Sequence, residues 1–235
     1  MAAPEYSKGD SGLQGAGNRG KVFEIVQIFY RNIGKAVMKI LRAGFGFLSL
    51  ILAAGMLAAC GPGNTVNLLP PPPIPASTIP APNAASVTVV NFADKRLDPD
   101  VIGKRRDGSA FTTLENVPLW ISRALADELA RNGLRVTFAN AVAQARSGNP
   151  DYLVTGQIDE VWIKESSATE LAAQMRVSST LANRGGKIWT ETTSSSQSKT
   201  NLPGAGSADN LLQETMRDLI KSVAAKIVAT IEKSK

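Results

Sequence analysis

The chain has 235 residues, 43% of them hydrophobic, with 26 Lys and Arg against 20 Asp and Glu, one Cys and no His. Zero His excludes His-based triads, His proton shuttles and His metal sites, and a single Cys excludes an internal disulfide, a Cys-x-x-Cys redox pair and a Cys-rich zinc site. The length allows one domain, or one domain with appendages, and the formal charge of +6 raises nucleic acid as a partner until its place along the chain is known.

Residues 1–37 are Gly-rich and polar from Ser7 to Gly20 and briefly apolar from Val22 to Tyr30. They read either as a start assigned too early, with Met38 the first residue, or as an extended cytoplasmic n-region. Both readings remove them from the mature chain. Residues 38–59 have the layout of a secretory signal. Met38, Lys39 and Arg42 are the basic n-region, Phe45 to Leu57 is apolar, and the small Ala58 and Ala59 follow. The run is short for a membrane span, and Gly44, Gly46 and Gly55 weaken it as one. Leu57-Ala58-Ala59-Cys60 resembles the bacterial lipobox. The resemblance implies a diacylglyceryl group on the Cys60 thiol, cleavage between Ala59 and Cys60, and a palmitate-like acyl chain on the new amine. Two or more chains hold a protein stably to a membrane, where one does so only marginally. Gly61 in place of Asp after the Cys implies, by the same resemblance, the outer membrane, with the inner membrane as the alternative.

Removing residues 1–59 takes away seven basic and three acidic residues and leaves 19 against 17. That near balance, and a place in the envelope, argue against nucleic acid as a partner.

Residues 60–85 read as the lipidated Cys followed by a Pro-rich tether. Eight of the 13 prolines lie between Pro62 and Pro82, and no residue of 61–85 is charged or aromatic. Proline lacks the N–H and fixes φ, so the stretch is expected as extended polyproline II with a reach of about 70–80 Å. It serves as a surface-clearing linker, or as a Pro-rich ligand or wall-crossing spacer.

Residues 86–235 are expected to form a single α+β globular domain. Ser86 to Phe92 alternates and is β-branched, which predicts a strand. Ala93 to Ala110 is a charged loop with weak strand content, punctuated by Pro99 and Gly108. Val117 to Asn132 is an amphipathic helix, with Asn116 as N-cap, Pro118 in the first turn and Gly133 as the stop. Its face is Val117, Ile121, Ala124, Leu125 and Leu129. Leu134 to Phe138 is a short strand, and Ala139 to Pro150 a turn of helix and a loop. Asp151 to Lys164 is the strongest strand, with Val154, Gly156, Ile158 and Trp162 on one face. Glu170 to Asn183 alternates cleanly, Asn183-Arg184-Gly185-Gly186 is a hairpin turn, and Lys187 to Lys199 returns as a polar edge strand. Asp209 to Lys233 is a long amphipathic helix capped by Ser207 or Asp209, its stripe running from Leu212 to Ile231. The order predicts a mostly antiparallel sheet with two amphipathic helices packed on one face.

Four stretches, Val87–Asp94, Ile121–Val136, Asp151–Ile158 and the closing helix, resemble the YajG-type family of envelope lipoproteins. They are also similar to the penicillin-binding-protein activator lipoproteins and the N-terminal domain of TolB-like proteins. The resemblance implies an α+β envelope domain of binding character and carries over no catalytic residue.

The residues themselves give no catalytic set, no metal site and no cofactor. Ser194-Ser195-Ser196 has no His base and no Ser-x-x-Lys nearby. Gly103 to Gly108 lacks phosphate-loop spacing, and Asp159-Glu160 and Asp98/Asp100 read as solvated carboxylates. Lys104, Arg105 and Arg106 are the one charge cluster suited to an anionic partner, such as a lipid headgroup, an acidic glycan or an acidic protein surface. The expected function is a non-enzymatic, lipid-anchored binding or scaffold lipoprotein. It would contact the membrane through its N-terminal lipid and, through its domain, another envelope protein. The alternatives are a peptidoglycan-synthase activator, and a lipid or glycolipid transport auxiliary with an apolar groove between helix and sheet.

Overall fold

The structure, a computed structural model, describes residues 64–73, 79–200, 204 and 206–234. Residues 1–37, the expected signal at 38–59 with Ala59, and Cys60 lie outside the described residues. The elements run β1 (Ser86–Val90), β2 (Ala93–Asp94), β3 (Val101–Lys104), β4 (Ala110–Thr112), α1 (Val117–Arg131), β5 (Arg135–Ala139), α2 (Val142–Ser147), β6 (Tyr152–Ser167), β7 (Glu170–Asn183), β8 (Gly186–Thr200) and α3 (Ser207–Lys233).

The 16-residue β6 is the spine of the sheet. Along one side β7 pairs antiparallel from Tyr152↔Asn183 to Ser167↔Glu170, and β8 pairs antiparallel beyond it. Along the other side three short strands take turns, each parallel: β1 at Val87↔Tyr152, β2 at Ala93↔Gln157 and β3 at Gly103↔Ile163. Outside these, β5 lies parallel to β1 and β4 antiparallel to β3. The sheet is therefore mixed, which corrects the expectation of a mostly antiparallel one. The cause is connectivity: α1 stands between β1 and β5, and α2 between β5 and β6, and helical crossovers return the chain in the parallel sense.

The α1 signals hold. Asn116 Oδ1 accepts from Leu119 N at 2.9 Å, and Gly133 ends the helix at φ +80°. Helices α1 and α3 pack on each other and on one face, where Leu125, Leu129, Ile158, Met175, Leu181, Leu219 and Ile227 form the core. The third helix, α2, covers the opposite face near β1 and β5, with Ala145 against Val90, Ala139 and Leu153. At the start of α3 the N-cap is Gly206, in the left-handed region, and not Ser207 or Asp209. Among the described residues no helix is long and apolar enough to cross a membrane.

Two further corrections concern packing. Trp162 is expected on the same face as Val154, Gly156 and Ile158, but the register of β6 shifts between Ile158 and Glu160. The extra residue inverts the alternation, so Val161 and Ile163 turn inward and Trp162 is 37% exposed. The Pro-rich stretch is not free along its length. Residues 64–73 form a strap laid over the domain, where Val66 is 1% and Leu68 7% exposed. Val66 N donates to Thr112 O and Thr112 N to Asn64 O, so the strap pairs with the outer edge of β4. Leu68 N donates to Glu115, Trp120 Nε1 to Leu69 O at 2.8 Å, and Gln213 Nε2 to Pro70 O at 3.0 Å. Two proline carbonyls are met by helix side chains: Pro70 O accepts from Gln213 of α3, and Pro72 O from Arg131 of α1.

Candidate functional site

Helix α3 covers one face of β7 and β8, and α2 reaches the opposite face of the sheet only near β1, β5 and Leu153 of β6. Strand β8 shows why the sequence builds it this way. Its inward residues are half-buried under α3, where Trp189 Nε1 donates to Thr230 Oγ1, Lys199 pairs with Glu214 at 2.7 Å, and Lys226 pairs with Glu191. Its outward residues, Thr190, Thr192, Ser194, Ser196, Ser198 and Thr200, are all exposed hydroxyls. Cross-strand bonds order part of this row: Thr180 with Thr190 and Ser178 with Thr192, both at 2.8 Å. The outer edge of β8 has no strand partner among the described residues. Short, bent or charged strands usually guard such an edge, and β8 runs 15 residues with Lys only at positions 187 and 199.

Trp162, on β6, is an exposed large apolar side chain of this face. It borders a groove of about 460 Å³ that is also lined by Arg96, Asp159 and Arg176. Arg176 and Glu160 pair there at 2.9 Å. A second groove of about 750 Å³, lined by Arg146, Asp151, Thr155, Arg184 and Lys187, lies at the other end of the strands. Asp151 is fixed by Ser86, whose N and Oγ both donate to its Oδ2, at 2.9 and 2.7 Å. These bonds, with Arg184 nearby, hold the carboxyl below its usual range.

The helix–sheet layer, where an apolar groove was one expectation, is filled by core side chains. An apolar cavity of about 340 Å³ lies instead on the outer side of the helices, under Pro71 and Pro72 and between Ala124, Met216 and Ile220.

The predicted basic cluster divides. Arg105 is built into the fold: Nε donates to Glu165 Oε2 at 3.2 Å, Nη1 to Asn64 Oδ1 at 2.7 Å, and the guanidinium lies over the Phe111 ring. Lys104 and Arg106 are exposed. Between them and Ser109 the chain turns through Gly108 at φ +89°. Ser109 Oγ and N both donate to Asp107, which lowers that carboxyl. Lys164 was missed as a neighbour. It shares a register position with Lys104 on the adjacent strand, a relation that only strand pairing reveals. Asp159 accepts from Gln157 and Ser178, and Asp98 from the backbone of Asp100 and Val101. Among the described residues no three His, Cys, Asp or Glu converge as metal ligands.

The family model described as lipopolysaccharide-assembly, LptE, matches residues 107–231, the stretch that runs from the β3–β4 turn through the sheet to α3. The chain belongs to the LptE family. That membership supports a place in the bacterial cell envelope and does not confirm the YajG-type resemblance of the four stretches. Protein XCC0632 from Xanthomonas campestris shares the fold, with a TM-score of 0.50 at 9% identity over 74% of this chain and 96% of that one. Also similar are PelC from Paraburkholderia phytofirmans, a dodecamer (TM-score 0.37, 21% identity, 60% of this chain and 92% of that one), and lipoprotein GNA1162 from Neisseria meningitidis (0.34, 13%, 63% and 99%). No curated protein matches the chain.

Proposed function

We propose that this chain is a non-enzymatic, Cys60-acylated lipoprotein of the outer membrane that serves lipopolysaccharide assembly by docking a second envelope protein on the outward face of β6–β8. One observation carries the reading: within the matched stretch, the outward face of β6–β8 bears the exposed Trp162, and the 15-residue β8 has no strand partner on its outer edge among the described residues. A sheet with one solvated face is ordinary, but a 15-residue edge strand, two strands from an exposed Trp on the same sheet, is suited to partner binding. The absence of His from the whole sequence supports binding over catalysis. The test is site-specific photo-crosslinking in living cells. Probes at Trp162 and Ser196 are expected to capture one and the same envelope protein, and a probe at Ser222, on the outer side of α3, to capture none. Equal capture from all three positions, or none from the sheet face, refutes the docking surface.

The cavity under Pro71 and Pro72 favours a second reading, a lipid or glycolipid auxiliary. Native mass spectrometry of the detergent-extracted protein should then retain a lipid that is lost when Ala124 is replaced by Trp. A synthase activator working across the wall loses support, because the strap uses up the reach that role requires.

A further inference from the structure

We propose that the strap shortens the tether to a few residues and seats the β3–β4 end of the domain against an anionic phospholipid surface. The proposal rests on the acylation of Cys60 proposed above. Four peptide links separate Cys60 from Asn64, and an extended chain spans about 3.3–3.6 Å per residue, so that Asn64 stands within about 15 Å of the anchor. A free tether from 61 to 85 would have reached about 70–80 Å. Asn64 is fixed where it lies: its carbonyl accepts from Thr112 N at 3.0 Å and its Oδ1 from Arg105 Nη1 at 2.7 Å. The next strap residue but one, Val66, is buried. The anchor therefore leads straight to the β3–β4 turn.

The charge at this end fits that surface. Lys104 and Lys164 stand abreast on neighbouring parallel strands, both exposed, and Arg106 is exposed in the adjoining turn. None of the three forms an ion pair among the described residues. Arg105, by contrast, is met by Glu165. The acids at the cluster are Asp107, exposed in the same turn, and Glu165, which accepts from Arg105 Nε and from Arg106 N. Two lysines side by side repel each other, and a layer of phosphate headgroups removes that repulsion while each cation adds to the attraction. The far end of the molecule, the β7–β8 turn beside Tyr152, lies about 40 Å along β6 from Lys164 at the usual rise per residue.

The test uses the acylated full chain in vesicles of phosphatidylcholine containing roughly a quarter phosphatidylglycerol. Mass spectrometry first establishes the acyl groups. Cys60 is the chain's one cysteine, so a cysteine added at Asp107 or Gly185 carries a nitroxide alone. The Asp107→Cys label is expected to be several-fold less accessible to a water-soluble relaxation reagent than the Gly185→Cys label. The protection should fall in pure phosphatidylcholine, and in a chain carrying Lys104→Gln, Arg106→Gln and Lys164→Gln whose circular dichroism is unchanged. Equal accessibility at the two positions in an acylated chain overturns the seating. Protection that survives both loss of the anionic lipid and loss of the cations overturns the headgroup contact. An unacylated Cys60 overturns the anchor reading, and this orientation with it.

Discussion

Gly103 is the point where the backbone of β3 presses on β6. A Cβ there would stand 2.1 Å from the carbonyl oxygen of Ile163, and backbone cannot yield as a flexible side chain can. Gly103→Ala should therefore push β3 and the strap-bearing β4 away from β6, costing about 1–3 kcal/mol as overpacking does. Urea unfolding measures the loss, and hydrogen exchange should place it at residues 101–112. Two carboxylates give opposite pH signatures. Asp151 is held below its usual range by Ser86, so it contributes stability above the unfolded carboxylate pKa that is lost as pH falls through its folded value. Asp151→Asn should cost about 1 kcal/mol at neutral pH, a figure reduced because water screens a half-exposed group, and the difference should vanish in acid. Asp127 is held above its usual range by burial, against the pull of Arg131 and Arg123. Its folded form favours the proton, so stability falls as pH rises from the unfolded pKa through the raised one. Asp127→Asn should stabilise the protein at neutral pH and lose that advantage below the unfolded pKa. Unfolding curves taken across pH decide both, and parallel profiles for the two variants contradict the assignment.

At the scale of elements, legibility in the sequence followed length and local chemistry. Strand β7 has the predicted bounds, Glu170–Asn183, because it has ladder partners on both sides and buries one face, so its alternation never breaks. Helix α1 was legible from its caps. Asn116→Ala should cost about 1 kcal/mol, since it leaves Leu119 N without its acceptor. Thermal unfolding measures that, and a value near zero would mean the cap is dispensable in this context. Strands β2, β3 and β4 were not legible, because two to four residues cannot display a period of two. The outward turn of Trp162 was hidden for a different reason: a bulge is a count of residues against a partner strand, and the partner is not visible in the β6 sequence itself. The basic cluster was found by composition, but its division was not. Arg105 is spent on Glu165, 60 positions away, and on Asn64, 41 positions away, and only the fold brings those groups together.

For the whole molecule, the boundary between tether and domain is the feature that changed most. Proline content made 61–85 read as linker, and the alternation of Thr65-Val66-Asn67-Leu68 in front of the prolines was the signal that argued otherwise. Those residues close the β4 edge, cover the start of α1 through Trp120 and reach α3 through the Asn67–Asp209 bonds. The strap thus joins the sheet to both large helices, and its loss should be felt cooperatively rather than at one spot. A chain beginning at residue 86, the boundary read from the sequence, is expected to melt below one beginning at residue 62. The deficit should be about 3 kcal/mol, from re-exposing Val66, Leu68 and the surfaces they cover, an upper figure because unfolded chains already bury some apolar area. Trp120, 8% exposed under the strap, should shift its fluorescence to the red in the shorter chain while Trp189, under α3, does not. Replacing Val66 by Asp in the longer chain should reproduce both changes, since a carboxylate cannot enter that site without its water. Equal melting temperatures and unchanged Trp120 emission would show that residues 64–73 lie on the domain without belonging to its fold.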